Sequence, residues 1–191
     1  DQNHILVKLV PKNLGRVPKA KDSLMGPSIQ ESSGQSGQSS TYEKRDTLNN
    51  AGDEKLFDYY GLSQLALVDV RSGQFKTFGQ PGLFDQLDVA PDGKHLFVTQ
   101  IMRPYSYIVT ARRFPKKVEV LDISNLNKIS RSLIADLPLA DRVPIHGEPL
   151  GPRDFFWSPH DPATLVWAEA LDGGDWNVKV PARDKVMMQK A

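Results

Sequence analysis

The chain has no cysteine among its 191 residues, so disulfide bonds, thiolate metal sites and a cysteine nucleophile are excluded. It also lacks any apolar run near the roughly 18 residues that are needed to cross a bilayer. An excess of one charge is missing as well, because 24 lysines and arginines nearly balance 23 aspartates and glutamates. Without a strong electrostatic field, nucleic acid and membrane surfaces are not predicted partners.

Two stretches of the chain repeat one pattern. Residues 87–98 read as an apolar strand, the turn Pro91-Asp92-Gly93 and a second apolar strand, and residues 155–167 follow the same order around Pro159. An offset of 68 residues separates Pro91 from Pro159 and also Lys117 from Lys185, where another strand signal recurs. One offset shared by two strand signals indicates a repeated unit. Units of several short strands are typical of β-propeller blades.

Both ends of the chain carry incomplete copies of this unit. Residues 1–7 align with residues 92–98, so the first copy begins at the turn and lacks its opening strand. The last copy begins a strand at Lys185 and stops before the hairpin partner. A repeat array cut in this way leaves terminal faces without a neighbour. We therefore expect residues 1–191 to be a fragment of an N-terminal propeller domain.

The predicted fold is all-β: a partial β-propeller with one complete four-stranded antiparallel blade flanked by two incomplete blades. Strands are predicted at residues 4–10, 64–70 and 74–78, then 86–90, 95–101, 117–123 and 130–137, then 154–158, 164–170 and from 185 onward.

Residues 11–63 form a long, partly helical insertion between the first two strands. Residues 32–40 are of low complexity, whereas residues 41–60 have helical spacing, with Thr41 as the N-cap and a break at residues 49–52. The equivalent connections in the other units, residues 102–116 and 171–184, are also long. Antiparallel geometry brings all three to one face, which is where a rigid scaffold usually carries its function.

Residues for catalysis, metal binding or cofactor binding are not apparent in the sequence. The nucleophile elbow Gly-x-Ser-x-Gly does not occur, and no spacing of histidines suggests a metal site. His4 and His95 occupy equivalent positions of the repeat, so we interpret them as structural. The motif Asp172-Gly173-Gly174-Asp175 lacks the ligand series of a calcium loop and is interpreted as a turn. We therefore predict no catalytic residue, metal or cofactor.

The connection at residues 102–116 has the composition of a binding loop, because arginines alternate with tyrosines. Such side chains bind carboxylates or stack on planar groups. The alternative interpretation is a packed loop in which arginines and tyrosines stack on one another. The candidate substrate-binding residues are Arg103, Tyr105, Tyr107, Arg112 and Arg113.

The chain resembles the propeller of glutamyl endopeptidases, a branch of the prolyl oligopeptidase family of serine peptidases. The resemblance rests on segments that follow in order along almost the whole chain. They include Leu56-Phe57-Asp58-Tyr59-Tyr60, Arg103-Pro104-Tyr105-Ser106-Tyr107 and Glu169-Ala170-Leu171-Asp172-Gly173-Gly174-Asp175, with residues 26–32, 63–69, 113–115, 118–120, 165–167 and 183–186. The chain departs from the family pattern in the spacer at residues 34–40 and at Met187-Met188, where an aromatic residue is usual.

The resemblance implies a parent enzyme that hydrolyses peptide bonds. Its catalytic part would be a C-terminal α/β-hydrolase domain with a Ser-Asp-His triad, absent from these residues. The propeller segment would gate the access of peptide substrates and contact the catalytic domain of the same chain. The alternative is a stand-alone propeller module for protein interaction without catalysis.

Two further expectations concern location and assembly. If the source is bacterial, the family suggests a periplasmic or secreted protein, with a signal peptide upstream of the fragment. Since cut blades expose strand edges, we also expect the fragment to associate with copies of itself.

Overall fold

A computed structural model describes residues 3–19, 46–143 and 147–191. Within these residues the chain forms ten β-strands, one α-helix and one short 3-10 helix. The strands are β1 (His4–Leu9), β2 (Ser63–Asp69), β3 (Phe75–Gly82), β4 (Phe84–Val89), β5 (His95–Ile101), β6 (Lys116–Asp122), β7 (Ser130–Leu137), β8 (Arg153–Trp157), β9 (Thr164–Ala170) and β10 (Asp184–Lys190). The α-helix is α1 (Ala51–Gly61), and the 3-10 helix spans Ala111–Arg113.

The strands form three antiparallel sheets in chain order. The first sheet is β1-β2-β3, the central sheet is β4-β5-β6-β7, and the third sheet is β8-β9-β10. In the central sheet, β5 pairs with β6 from His95↔Asp122 to Ile101↔Lys116. The predicted order of three, four and three strands is therefore confirmed, and so is the predicted all-β class.

The Pro91-Asp92-Gly93 turn explains why β5 folds back on β4. In the turn between β4 and β5, Asp92 Oδ1 accepts the backbone N–H of Lys94 at 2.8 Å, and Gly93 has a φ of 68°. Most side chains avoid positive φ, whereas glycine adopts it without steric cost. His95 Nδ1 lies 2.7 Å from Asp92 Oδ2, so this histidine has the structural role expected from the repeat.

The central sheet is covered on both faces. Phe97, Val118 and Val120 point to one side and pack in a buried cluster with Trp157, Leu165 and Trp167 of the third sheet. Alternate residues point to the other side, where Leu96, Val98 and Leu121 pack with Leu65 and Phe78 of the first sheet. The period-two alternation of a strand thus divides one sheet between two separate apolar cores.

The helix differs from its predicted bounds. Asn50 caps it, because its side chain accepts the N–H groups of Gly52 and Asp53, and α1 then runs without interruption to Gly61. Residues 46–50 are not helical, so the chain does break near the predicted position, and Asn50 caps the helix that follows. Helix predicted at residues 46–48 is not observed, and Ala51 and Gly52 already belong to α1. Predictions for residues 20–45, which include the Thr41 cap and the low-complexity stretch, lie outside the described residues. Within the described chain, no helix has the length and apolar character to cross a membrane.

We predict that Phe97→Ala lowers the free energy of unfolding by about 3–5 kcal/mol, because the ring is fully buried between two sheets and leaves a cavity. Phe75, with a relative exposure of 53%, provides the matched control, and Phe75→Ala is expected to cost less than about 1 kcal/mol. Urea denaturation at low protein concentration measures both. Equal losses for the two variants would show that the core between the central and third sheets does not stabilise the chain.

Candidate functional site on the loop face

The long connections lie together at one edge of the three sheets, which we call the loop face. Its described residues are 10–19, 46–62, 102–115 and 171–183, together with 138–143 and 147–152 of the connection between β7 and β8. Backbone hydrogen bonds tie these segments to each other: Ala140 N donates to Arg113 O at 2.9 Å, and Glu148 N donates to Gly174 O at 3.0 Å. The predicted clustering of long connections on one face agrees with these contacts.

An aromatic cluster anchors α1 to the connection between β5 and β6. The rings of Tyr105 and Phe114 stack with centroids 5.1 Å apart, and Phe57 of α1 meets Tyr105 edge-on at 5.2 Å. Phe114 is buried. These contacts place one side of the helix against the loop and fix the direction of its neighbouring side chains.

Arg103 binds two carboxylates of α1. Its Nη1 donates to Glu54 Oε2 at 2.5 Å, and its Nη2 donates to Asp58 Oδ2 at 2.5 Å. Glu54 and Asp58 are four residues apart, so they lie on one side of the helix. The planar guanidinium therefore spans one helical turn, and its carbon lies 4.3 Å from the Tyr105 ring centroid.

Two tyrosine hydroxyls complete this arrangement. Tyr107 donates to Glu54 Oε1 at 2.7 Å, and Tyr105 donates to Asp58 Oδ1. We call the five residues Glu54, Asp58, Arg103, Tyr105 and Tyr107 the helix latch. All four carboxylate oxygens of the latch have a donor.

The titration of the latch follows from these bonds. Hydrogen bonds from Arg103 and then Tyr107 lower the pKa of Glu54 below its ordinary value. Burial, and next the hydrogen bond to Asp58, raises the pKa of Tyr105, while the bond to Glu54 raises that of Tyr107. These pKa shifts favour an ionised Glu54 and protonated Tyr105 and Tyr107.

The five predicted substrate-binding residues divide into two groups. Arg103, Tyr105 and Tyr107 come together, but on the carboxylates of the chain's own helix. Arg112 and Arg113 lie in the 3-10 helix (Ala111–Arg113), and within the described part of the chain neither forms an ion pair. Substrate binding by any of the five stays a prediction. Sequence reasoning missed Glu54 and Asp58, although their spacing on a predicted helix facing an arginine loop was a usable signal.

A second cluster of charged residues surrounds a cavity of about 190 Å³ beside the third sheet. Arg153 Nη2 contacts Asp184 Oδ1 at 2.6 Å, and Arg183 Nη1 contacts Asp172 Oδ2 at 2.8 Å. Arg183 also stacks on Trp176, with 4.5 Å between the guanidinium carbon and the ring centroid. The sequence analysis singled out neither arginine, because they are 30 residues apart in the chain.

The Asp172-Gly173-Gly174-Asp175 motif is a turn, as predicted. Asp172 accepts the N–H of Gly174 at 2.8 Å, and Gly173 and Gly174 both have positive φ. The hydrogen bond from Arg183 lowers the pKa of Asp172. Among the described residues, no group of three or more histidines and carboxylates is placed to hold a metal ion. His146 lies outside the described residues.

Comparisons with known proteins first show the class of protein to which this chain is similar. No family model matches the chain, but over nearly its whole length it is similar to plant proteins named as peptidases. The more particular relationship is to glutamyl endopeptidases, which confirms the resemblance predicted from the sequence. The relatives are "Probable glutamyl endopeptidase, chloroplastic" from Oryza sativa subsp. japonica, 40% identical over 189 residues, and the protein of the same name from Arabidopsis thaliana, 39% identical over 194 residues.

Each alignment covers nearly all of this chain but only a small part of the relative. The alignments cover 98% and 100% of this chain but 20% of each relative, so the chain spans about a fifth of their length. Among solved structures, an acylaminoacyl peptidase from Pyrococcus horikoshii is 12% identical, with a TM-score of 0.35 over 61% of this chain and 14% of that one.

The names of the relatives correct one expectation. Both are chloroplastic plant proteins, so the prediction of a periplasmic or secreted protein is wrong. That prediction rested on bacterial members of the family, and these 191 residues show no feature that distinguishes the two compartments.

We predict that Arg103→Gln loosens α1 on the loop face. A network of ion pairs of this kind contributes about 1 kcal/mol, so hydrogen exchange of the α1 amides is expected to accelerate about fivefold. Arg71→Gln, in an exposed turn at the opposite edge of the first sheet, is the control. Unchanged α1 exchange in Arg103→Gln would contradict the latch.

The latch is also expected to depend on pH. Because the pKa of Glu54 is lowered in the folded chain, its contribution to stability is fully present above the unfolded pKa of about 4.3. That contribution is lost as the pH falls through the lower folded value. Glu54→Gln is expected to remove this part of the acid dependence of α1 exchange.

Proposed function

We propose that the chain is a partial β-propeller that gates access of peptides to the catalytic site of a serine peptidase. The catalytic groups would belong to an α/β-hydrolase domain outside these residues. The observation that carries the proposal is the 40% identity with a protein named as a glutamyl endopeptidase that is about five times longer. Peptide-bond hydrolysis would be the reaction of the whole enzyme.

The packing of the three sheets supports a propeller arrangement. Equivalent strands of neighbouring sheets contact each other: Trp157 Nε1 of β8 donates to the carbonyl of Asp88 in β4 at 3.1 Å. The turns that follow these two strands also meet, since Asp92 N donates to Pro162 O at 3.0 Å. Repeating one such step from sheet to sheet generates the radial stack of a propeller.

The loop face supports the gating role. Its connections are long and are tied to one another, whereas the turns at the opposite edge are short. Elaborated loops on one side of a rigid scaffold usually act on a partner or a substrate. In a gate, such loops would admit extended or short peptides and exclude folded ones, which gives specificity by exclusion.

The test uses the full-length protein that contains this chain. We predict that Arg103→Gln, by freeing α1, raises kcat/KM for a long unfolded polypeptide relative to that for a short fluorogenic peptide. Arg71→Gln is expected to leave the ratio unchanged.

The isolated 191-residue chain, assayed in parallel, is expected neither to hydrolyse the peptide nor to react with a fluorophosphonate probe, because it lacks an activated nucleophile. If Arg103→Gln left the ratio of the two kcat/KM values unchanged, the gating role of the loop face would be rejected. If the probe labelled the isolated chain, the proposal that the catalytic triad lies outside these residues would be rejected.

We also propose that the isolated chain associates with itself through its terminal sheets. An apolar row crosses the first sheet at Ile5, Val68 and Phe75, and Ile5 and Phe75 are each 53% exposed. The third sheet carries a corresponding row at Phe156, Val166 and Met188, and Met188 is 68% exposed. These outer faces and the edge strands β1 and β10 resemble the surfaces that the central sheet buries.

Light scattering of the isolated chain at about 0.1 mM, within the range where exposed apolar surfaces associate, is expected to show a mass above that of the monomer. Ile5→Lys with Met188→Lys would place a charge in each row and is expected to lower that mass. A monomeric wild-type chain at this concentration would contradict self-association.

A further inference from the structure

The cavity beside the third sheet has one wall that depends on a glycine. Gly174 has a φ of 77°, and a Cβ atom at this position would lie 2.2 Å from the carbonyl oxygen of Glu148. The carbonyl of Gly174 accepts the N–H of Glu148 at 3.0 Å. Glycine lets two backbones approach this closely, so this wall consists of joined backbone and does not depend on long side chains.

Arg153 lines the same cavity from the start of β8. Its side chain reaches across β9, because Nη2 donates to Asp184 Oδ1 of β10 at 2.6 Å and β9 lies between the two strands. A β-bulge between Arg153 and Phe156 interrupts the pairing of β8 with β9, and Asp154 has a positive φ of 56°. Bulges often redirect a side chain beside a binding site, and this bulge begins at the arginine of the cavity.

One nitrogen of Arg153 differs from the other buried polar side-chain atoms of the described residues. Nη1 is buried, and within that part of the chain it is the atom of this kind for which the structure records no hydrogen-bond partner. A buried N–H donor without an acceptor is destabilising, so such an atom in a native protein requires an explanation. An oxygen of a ligand bound against Arg153 would satisfy this donor.

The charges around the cavity determine which kind of oxygen fits. Three carboxylates and two guanidinium groups line it, from Glu148, Asp172, Asp184, Arg153 and Arg183. Negative charges therefore exceed positive charges by one, which disfavours an anionic ligand and accepts a neutral carbonyl oxygen. Glu148 Oε2 lies 3.8 Å from Arg153 Nε, beyond hydrogen-bond distance, so this carboxylate can accept an N–H from a ligand. An amide group supplies both the acceptor and the donor.

Exposed apolar side chains lie next to the cavity in the connection between β9 and β10. Leu171 and Trp176 are 50% and 61% exposed. Leu171 N donates to Arg183 O at 2.7 Å, and Arg183 stacks on Trp176, so both side chains lie near the same arginine. An apolar side chain of a ligand can pack against them, whereas a sugar would place hydroxyl groups there.

The size of the cavity limits the ligand to one small unit. Its volume of about 190 Å³ is below the roughly 300–1,000 Å³ of sites that bind drug-sized molecules. One residue of a peptide, with its amide in the cavity and its side chain at Trp176, matches this volume better than a nucleotide does.

We propose that this cavity binds an uncharged, apolar residue of a polypeptide. The backbone carbonyl of that residue would accept from Arg153 Nη1, its N–H would donate to Glu148, and its side chain would pack against Trp176. This inference deepens the proposed function, because it gives peptides a place to bind on the loop face, and it rests on peptides reaching that face. It assigns to the cavity a preference for neutral over acidic residues.

Binding of small amides to the intact 191-residue chain tests the proposal without any catalysis. The probes are N-acetyl-leucinamide and the corresponding N-acetyl amides of glutamine and glutamate, whose side chains are similar in size but differ in polarity and charge. Saturation-transfer NMR measures the affinity of each probe. Labelling with 5-fluorotryptophan reports the location, because Trp176 is exposed whereas Trp157 and Trp167 are buried, and Trp176→Ala identifies the signal of Trp176.

N-acetyl-leucinamide is expected to bind with a Kd of about 1 mM, which is typical of a ligand of this size, and to shift the fluorine signal of Trp176 alone. The glutamine amide is expected to bind more weakly, because its side chain is polar. The glutamate amide is expected to bind about tenfold more weakly than the leucine amide, since its charge adds to the negative excess of the cavity.

Two variants remove the two proposed contacts separately. Arg153→Lys keeps a cation for Asp184 but removes Nη1, and it is expected to weaken binding of the leucine amide about fivefold. Trp176→Ala removes the exposed ring and is expected to weaken binding about tenfold. Arg71→Lys, in an exposed turn of the first sheet, is the control and is expected to leave binding unchanged. Circular dichroism establishes that each variant keeps its β-structure, and Trp176→Ala decides the test if Arg153→Lys does not fold.

Four results would overturn the proposal. They are equal affinity for the leucine and glutamate amides, undiminished binding in a folded Arg153→Lys or Trp176→Ala variant, tighter binding of methyl glucoside that shifts the Trp176 signal, and no shift of that signal by any probe. The last result would indicate a cavity that holds water only. The gating test in the full-length protein is a separate measurement, so the cavity can fail while the gate holds, and the reverse outcome is equally distinguishable.

Discussion

Burial of the central sheet on both faces is the constraint on which the rest of the structure depends. Phe97 and Leu96 are adjacent in β5, yet one ring packs toward the third sheet and the other side chain toward the first. A one-residue slip of β5 against its neighbours would exchange these two sets of side chains. The pairing of β5 with β6 that begins at His95↔Asp122 therefore determines which side chains enter each of the two cores. It also determines where the connections of the loop face begin and end.

The same burial explains the pairing of Glu119, the buried acidic residue among the described strands. Glu119 alternates with Val118 and Val120, so it shares the face that packs toward the first sheet, and its side chain is 5% exposed. Lys117 and Arg131 each place a nitrogen 3.2 Å from one of its oxygens. An unpaired buried carboxylate is strongly destabilising, so the two cations are a structural requirement. They are therefore not available to a ligand.

The strands were predictable because their signals are local and repeated. Asp92 and Gly93 mark a turn by their own chemistry, and the alternation of Leu96, Phe97 and Val98 marks a strand that is buried on both sides. The latch was not predictable in the same way. Arg103 and Glu54 are 49 residues apart, and their meeting depends on two connections reaching the same edge. Sequence spacing indicates that a loop is rich in arginine, but it does not show which carboxylate each arginine will find.

The binding chemistry of the loop face depends on which carboxylate each arginine contacts, and not only on the presence of arginine. Arg103 has the residue type expected for recognising a substrate carboxylate, but both of its terminal nitrogens already donate to Glu54 and Asp58. A substrate would have to displace a helix that is held by aromatic contacts of Phe57, Tyr105 and Phe114 as well as by charge. Residue type alone therefore overstates the case for Arg103. The pairing state of a cation is therefore a better guide than its residue type to whether it can bind a further carboxylate.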